Sequence, residues 1–177
     1  MADPYRWLEE DTDEVKAWVQ AQNERTEEFL AGVPERTALR ARLAELFEIG
    51  TISLPTVVRL ESGGVRYFFT RRGGTEDQPR LFVQDGPHGT ERVLFDPNRE
   101  ATTGPVSLDW YYPSLDGRLL AYGTSRDGSE DSALRVRDVA TGADVEDRIP
   151  RTRHASVAWA KDGDRFYYTR YPSDAPK

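Results

Sequence analysis

The chain has 177 residues, with 24 Lys and Arg against 31 Asp and Glu, and a formal net charge of -7. This acidity argues against a general nucleic-acid binder, and no apolar run approaches the roughly 20 residues of a membrane-spanning helix. The absence of Cys excludes disulfides, thiolate metal sites and a Cys nucleophile. An aromatic share of 11% favours a folded chain over a disordered one.

The acidic side chains are concentrated at the start of the chain. Residues 1–50 hold 12 acidic and 6 basic side chains, whereas residues 51–177 hold 19 and 18. Helical periodicity also stops after Gly50, where short β-rich runs replace it. We therefore predict a mostly β protein with an N-terminal α-helical segment over residues 1–50.

Residues 1–50 predict a short turn followed by two amphipathic helices. Asp3-Pro4 is a cap signal, and Thr12 is predicted to cap a helix that ends at Gly32. A second helix is predicted from about Glu35 to Glu48. Because two helices cannot bury both apolar stripes alone, we expect them to dock on another surface. The stripes comprise Val15, Trp18, Val19, Phe29, Leu30, Leu39, Leu43, Leu46 and Phe47.

The remaining residues alternate β-rich runs with turn signals, which is typical of antiparallel sheets. Leu134-Arg135-Val136-Arg137 alternates strictly, as expected for a strand with one buried face. Asp116-Gly117 and Asp162-Gly163 each separate two runs and predict tight hairpins. The predicted strands are 56–60, 65–71, 80–84, 92–95, 108–112, 118–124, 133–139, 145–149, 155–160 and 165–170.

A repeat emerges when these hairpins are aligned. Gly117 and Gly163 are 46 residues apart, and Gly64 marks a looser third copy 53 residues before Gly117. Four strands in a period of about 40–50 residues indicate a β-propeller blade. We predict about two and a half four-stranded antiparallel blades, at about 51–105, 106–150 and 151–177. Because a blade buries its faces only against neighbours, the chain is expected to be incomplete as a folding unit, with apolar faces left exposed. The alternative is a small antiparallel sandwich closed on itself.

The sequence carries little catalytic chemistry. There is no Gly-x-Ser-x-Gly, and the nearest string, Gly123–Gly128, has the wrong spacing. The only imidazoles are His88, in a predicted loop, and His154, at the start of a predicted strand. No phosphate-binding Gly loop or His-x-x-x-His pair occurs, so we predict no cofactor and no metal. The residues alone indicate a structural or gating module.

Several motifs resemble the N-terminal region of the prolyl oligopeptidase family. Asp3-Pro4-Tyr5-Arg6-Trp7-Leu8-Glu9 and the stretch ending in Ala21-Gln22-Asn23 are the most specific. Oligopeptidase B, the nearest alternative, shares the Asp-Pro-Tyr start, but Gln22-Asn23 and Asp96-Pro97-Asn98 favour prolyl oligopeptidase. The similarity covers essentially the whole chain and continues through 81–85, 93–98, 114–117 and 157–163.

The resemblance implies a seven-bladed propeller joined to an α/β-hydrolase domain. Members of the family are cytosolic serine peptidases that cleave short peptides on the C-terminal side of proline, and the propeller lies over the active site. The catalytic triad lies in the C-terminal hydrolase portion, so this chain holds no catalytic residue and is expected to be inactive alone. The implied partners are short proline-containing peptides and the missing hydrolase domain, with no nucleic acid and no membrane.

The resemblance also implies roles for particular residues. The N-terminal helices of the family pack on the hydrolase domain, which makes Tyr5, Trp7, Leu8 and Trp18 docking candidates. The segment before Val157-Ala158-Trp159 holds an apolar or aromatic residue that faces the substrate cavity, and by position this would be His154. A different function remains as the alternative, a stand-alone propeller-derived binding or interaction module without catalysis.

Overall fold

The computed structural model describes residues 3–100 and 104–172, apart from the side chains of residues 146 and 147. The chain divides into two compact units, a helical unit over residues 1–47 and a β unit over residues 48–177. None of the helices in the described residues is long and apolar enough to cross a membrane.

The helical unit contains a 3-10 helix, Arg6–Glu9, followed by α1, Asp13–Ala31, and α2, Arg36–Phe47. The predicted cap of α1 is confirmed, because Thr12 Oγ1 accepts a hydrogen bond of 3.3 Å from the backbone N–H of Val15. No residue of α1 or α2 is buried. The apolar stripes of both helices therefore face outward in this chain.

Three antiparallel sheets form the β unit, joined in chain order. In sheet 1, β1 and β2 both pair with β3, so they act as one strand interrupted around Pro55. Sheet 2 has the order β6-β7-β8-β9, and sheet 3 is a single pair, β10 and β11. The strands are β1 Thr51–Ile52, β2 Thr56–Arg59, β3 Val65–Arg72, β4 Arg80–Asp85, β5 Arg92–Phe95, β6 Val106–Pro113, β7 Leu119–Arg126, β8 Ala133–Asp138, β9 Asp144–Ile149, β10 Val157–Trp159 and β11 Phe166–Tyr168, and a short helix, α3, Pro97–Glu100, follows β5.

Each sheet begins with the same hairpin turn. Gly63, Gly117 and Gly163 have φ of 86°, 70° and 75°, and the N–H of each donates to the carbonyl three residues earlier. The internal repeat predicted Gly64 for this role, but in the structure the residue before it, Gly63, occupies the turn. Gly63 is the residue with the positive φ that the turn requires, which glycine adopts without steric cost.

Sheets 1 and 2 share one hydrophobic core. Its fully buried side chains include Phe68 and Leu81 from sheet 1 and Leu120 and Tyr122 from sheet 2. Burial of several large side chains, each contributing about 1.5–3 kcal/mol, joins the two sheets strongly. Sheet 3 supplies none of the described members of this cluster.

Side-chain donors bridge adjacent sheets at backbone carbonyls. The guanidinium of Arg66 donates to Gly117 O at 2.8 Å, and that of Arg137 donates to Leu94 O at 2.6 Å. Between sheet 2 and sheet 3, the indole N–H of Trp159 donates to Tyr112 O at 3.0 Å. These bonds link each sheet to the next and help to fix their relative positions.

The outer face of sheet 1 differs from the broad exposed apolar face that we predicted. Phe69 and Phe82 stack with ring centroids 5.6 Å apart, and they are only 4% and 6% exposed. The guanidinium of Arg71 lies 5.4 Å and 5.0 Å from the two rings, and that of Arg80 lies 5.3 Å from Phe82. Because Arg71 also pairs with Glu91, this aromatic pair is covered by charged side chains of its own sheet.

Candidate functional site

Two loops at one end of sheet 2 contain four non-glycine residues with left-handed backbone. Asp127 and Glu130 lie between β7 and β8, and Arg151 and His154 lie between β9 and β10, all with φ between 50° and 63°. Such conformations cost about 1–3 kcal/mol each and persist where the surrounding structure imposes them, often at functional sites. Glu130, Arg151 and His154 carry no sequence signal for this conformation, whereas Asp127 begins an Asp-Gly pair that is typical of turns with positive φ.

Thr152 anchors the second of these loops. Its side chain is fully buried, and its backbone N–H and Oγ1 both donate to Ser132 O at 2.9 Å. Its carbonyl accepts from the indole N–H of Trp110 at 3.2 Å and from the N–H of Ala155 at 3.1 Å. With the loop held on both sides of the bend, His154 is presented outward from a fixed backbone.

His154 belongs to a charged cluster at the tip of the two loops. Its side chain is 73% exposed, and Nε2 lies 3.9 Å from Glu130 Oε2. Arg153 pairs with the same carboxylate. The cluster therefore presents an imidazole, a guanidinium and a carboxylate together at the protein surface.

Asp109 ties the base of these loops to the sheet. One of its carboxylate oxygens accepts from Ser125 Oγ at 2.9 Å and the other from Ser132 Oγ at 2.6 Å. Sequence reasoning missed this group, because an isolated Asp inside a β run and two separated Ser residues form no recognisable motif. Within the described ranges, no set of three or more acidic or imidazole side chains is placed to hold a metal ion.

The structure brings together two of the predicted docking residues. Trp7 and Trp18 make an edge-to-face contact with centroids 6.1 Å apart and an interplanar angle of 84°. Leu8 is half-buried, whereas Tyr5 is exposed. The contact connects the 3-10 helix to the middle of α1 and leaves one side of Trp18 open.

A second apolar surface lies where α1 meets α2. It is a groove of about 520 Å³, and its lining includes Leu30, Leu39, Leu43 and Phe47. These four side chains are exposed. Exposed apolar side chains gathered in this way mark a surface for association.

Two polar groups in the β unit have strongly shifted pKa values. Burial opposes ionisation of Asp116, but hydrogen bonds from Ser114 and Arg118 outweigh it and lower the pKa of its carboxyl to about 2. Burial raises the pKa of Tyr122, whose hydroxyl donates to Asp144 Oδ1 at 2.8 Å. Arg137 pairs with the same carboxylate at 2.7 Å. Asp116 therefore stabilises a hairpin turn, and the Tyr122–Asp144–Arg137 group stabilises the packing of sheet 2.

Comparison with known proteins shows the family to which the chain is related. Residues 1–177 match the family described as "Prolyl oligopeptidase, N-terminal beta-propeller domain". The chain belongs to this family. The predicted family is thereby confirmed, and the three antiparallel sheets are consistent with part of a propeller.

The curated relatives are full-length peptidases. The chain is 32% identical to the prolyl endopeptidase of Elizabethkingia meningoseptica over 178 residues, which is 100% of this chain and 24% of the relative. It is 31% identical to the dual function macrocyclase-peptidase POPB of Galerina marginata over 195 residues, or 97% of this chain and 26% of the relative. The chain thus spans about a quarter of the length of these relatives.

Solved structures agree with these relatives. A structure from an analysis of two prolyl endopeptidases matches with a TM-score of 0.85 and 36% identity, covering 98% of this chain and 25% of that one. Prolyl oligopeptidase B from Galerina marginata, bound to a 35-residue substrate, matches with a TM-score of 0.80 and 26% identity. It covers 98% of this chain and 26% of that one.

Proposed function

We propose that this chain is the N-terminal part of a serine peptidase that cleaves short peptides on the C-terminal side of proline. The observation that carries the proposal is the match of the whole chain to one quarter of prolyl endopeptidases. The remaining three quarters would supply the rest of the propeller and the α/β-hydrolase domain with its catalytic triad. In that domain a Ser attacks the peptide carbonyl, a His acts as general base and an Asp orients the His.

The β unit would form the start of a seven-bladed ring. Sheet 1 and sheet 2 would be its first two blades, with β1 and β2 together serving as the first strand of sheet 1. Sheet 3 would be the inner pair of strands of a third blade. A complete ring over the active site would admit short peptides and exclude folded proteins, so the role of this unit is substrate access.

The helical unit would dock on the hydrolase domain. Tyr5, Trp7, Leu8 and Trp18 lie on or near the exposed side of the 3-10 helix and α1, where they can be covered by another surface. Burial of such aromatic side chains contributes the largest area per residue that a docking surface can offer.

His154 would face the substrate cavity from the third blade. Support comes from its exposed side chain on a backbone held in a left-handed conformation by buried Thr152. With Arg153 and Glu130 beside it, this position would offer a peptide a polar contact where the family has an apolar one.

Activity measurements test the proposal. The full-length protein that carries these residues is expected to hydrolyse a chromogenic peptide ending in proline, and a serine-directed inhibitor should abolish the activity. The isolated 177-residue chain is expected to be inactive, since it contains no triad. Inhibitor-sensitive turnover by the purified chain alone would contradict the proposal.

One feature favours the alternative, a stand-alone interaction module. Within the described residues sheet 3 has two strands, and Tyr167 on β11 is 72% exposed. Size-exclusion chromatography of the isolated chain separates the two functions. A discrete oligomer with a cooperative melting transition favours the module, whereas aggregation or a loosely folded monomer favours part of a larger enzyme.

A further inference from the structure

A cationic crevice lies between the first two sheets. Its volume is about 190 Å³, and it is bounded by Phe95 at the end of sheet 1, by α3 and by strands β6 to β9 of sheet 2. Three guanidinium side chains line it, those of Arg126, Arg135 and Arg148.

Strand register places these arginines on one face. Arg135 is directly opposite Tyr122 on β7 and Arg148 on β9, and directly opposite residues point to the same side of a sheet. Tyr122 belongs to the core shared with sheet 1. Arg126 follows Tyr122 by four positions on the same strand and therefore shares its face. All three side chains thus project from sheet 2 toward sheet 1.

The positive charges and N–H donors of these arginines are incompletely matched by ion pairs and hydrogen bonds with described residues. Neither Arg126 nor Arg148 forms an ion pair with a described residue, and Arg135 reaches Asp144 only at 3.6 Å. The Nε–H of Arg135 is buried without a hydrogen-bond partner among the described residues. A buried, unpaired donor costs about 1–3 kcal/mol, so the Arg135 guanidinium is incompletely satisfied by its surroundings.

We propose that this crevice binds a small oxyanion of the phosphate class. Two carboxylates, those of Glu100 and Asp131, also line it, so the three guanidinium groups leave one positive charge in excess. Arginine donors come from three adjacent strands, and the hydroxyls of Thr124 on β7 and of Ser129 in the following loop add two more. Donors converging from several directions suit a tetrahedral anion with oxygens on all sides better than a planar carboxylate.

The bound anion would connect three parts of the β unit. Arg126 is on β7, Arg135 on β8 and Arg148 on the outermost strand, β9. A single acceptor shared by these side chains would fix β9 to the inner strands beside the junction with sheet 1. Since an anion that binds only the folded state stabilises it by mass action, occupancy should raise the melting temperature.

Isothermal titration calorimetry with inorganic phosphate tests the proposal on the full-length protein at constant ionic strength. The wild type is expected to show saturable binding. Arg148→Gln and Arg126→Gln, at the exposed rim, should each weaken phosphate binding by roughly tenfold or more, as expected when one charge-assisted hydrogen bond is lost. Arg165→Gln, which removes the same charge from sheet 3, should bind phosphate as the wild type does.

Circular dichroism and thermal melting without phosphate establish that each variant is folded before it is titrated. A parallel titration with acetate separates the phosphate class from a simple carboxylate, and acetate should bind much more weakly. Absence of saturable phosphate binding by the wild type would overturn the proposal. So would equal binding by the rim variants and the Arg165→Gln control, or acetate affinity equal to that of phosphate. None of these outcomes depends on peptidase activity.

Discussion

At the scale of single residues, Asp116 shows how a turn depends on one ionised carboxylate. It accepts from Ser114 Oγ at 2.6 Å and from the N–H of Arg118 at 3.0 Å, and it pairs with the Arg118 guanidinium. These bonds hold the hairpin whose tip, Gly117, accepts the bridge from Arg66 of sheet 1. An ionised Asp116 therefore supports both the turn and the junction of two sheets.

We expect acid to destabilise the β unit partly through Asp116. Its folded pKa of about 2 lies below the ordinary value of about 3.9 for Asp, so the unfolded state binds more protons between these values. The stabilisation is complete above about pH 4 and is lost as pH falls through about 2. Denaturant unfolding measured from pH 5 to pH 2 should show a shallower decline for Asp116→Asn than for the wild type. Equal declines would show that this carboxylate does not contribute.

Gly123 is required for close packing against Trp110. A Cβ at Gly123 would lie 2.2 Å from Cε2 of Trp110, whose indole N–H donates to Thr152 O. Gly123→Ala should therefore displace the indole and destabilise the protein by about 1–3 kcal/mol, the usual cost of overpacking. Gly64→Ala is the control, because its Cβ would meet only side-chain atoms at 3.9 Å. Thermal melting measures both, and similar losses would contradict the packing argument.

Some residue roles could be predicted from sequence and others could not. The cap at Thr12 was predictable because its signal is local, a hydroxyl followed by an acidic first turn. The family resemblance pointed to His154 as a candidate residue, but it did not predict which side chains lie beside His154. Glu130 is 24 positions earlier in the chain, and the pairing of β8 with β9 and of Thr152 with Ser132 brings the two loops together.

At the scale of elements, β8 shows where alternation misleads. The pattern Leu134-Arg135-Val136-Arg137 predicted one buried and one solvated face. In the structure Arg137 is only 12% exposed at its side chain, because its face of sheet 2 lies against sheet 1. It stacks 5.3 Å from Phe95 and 5.1 Å from Tyr122 while donating to Leu94 O. The alternation of residues along a strand shows which side chains share a face of the sheet. It does not show whether a second sheet covers that face.

Arg137 should consequently contribute more to stability than an exposed arginine. Arg137→Met keeps much of the side-chain volume but leaves Asp144 with the longer Arg135 contact, at 3.6 Å, as its remaining ion pair, and Leu94 O without its Arg137 donor. Breaking a buried pair typically costs about 3–5 kcal/mol, and the partial exposure of Asp144 places the expected loss near the lower value. Urea unfolding measures the change in the free energy of unfolding.

Arg165→Met provides the comparison for Arg137. Arg165 pairs with Asp162 at 2.7 Å, but its side chain is 74% exposed in a turn of sheet 3. Because solvent screens such an exposed pair, this variant should change stability little. If both variants lose the same free energy, the covered position of Arg137 between the sheets does not determine its contribution.

Other elements were missed because they depend on distant partners. β1 has only two residues and exists through its pairing with Arg71 and Arg72 of β3, after an interruption around Pro55. The rest of the strands were predictable within a few residues, because β-rich runs and glycine turns are local signals. The third copy of the turn uses Gly63 and not Gly64. Because the two glycines are adjacent, the sequence does not show which of them adopts the positive φ.

At the scale of the whole molecule, the two units differ in what they bury. The β unit encloses a core shared by two sheets and covers Phe69 and Phe82 with its own arginines. The helical unit buries no residue of α1 or α2. Isolated helices of 12–19 residues are marginal in water, and most helix stability comes from packing of an apolar face. The proposed docking of the helical unit on a hydrolase domain would provide that packing.

Leu43 on α2 tests whether such a surface exists. It lines the apolar groove and is 51% exposed in this chain. If the groove stays open to water, Leu43→Ala should therefore change the free energy of unfolding little. If the groove is covered in the full-length protein, Leu43→Ala should cost about 2–5 kcal/mol, as for a buried leucine. Glu45→Ala on the same helix, where only an i,i+3 pair with Arg42 is lost, should cost about 0.5 kcal/mol or less. Chemical denaturation of the full-length variants distinguishes the cases, and equal small losses would contradict docking of the helices.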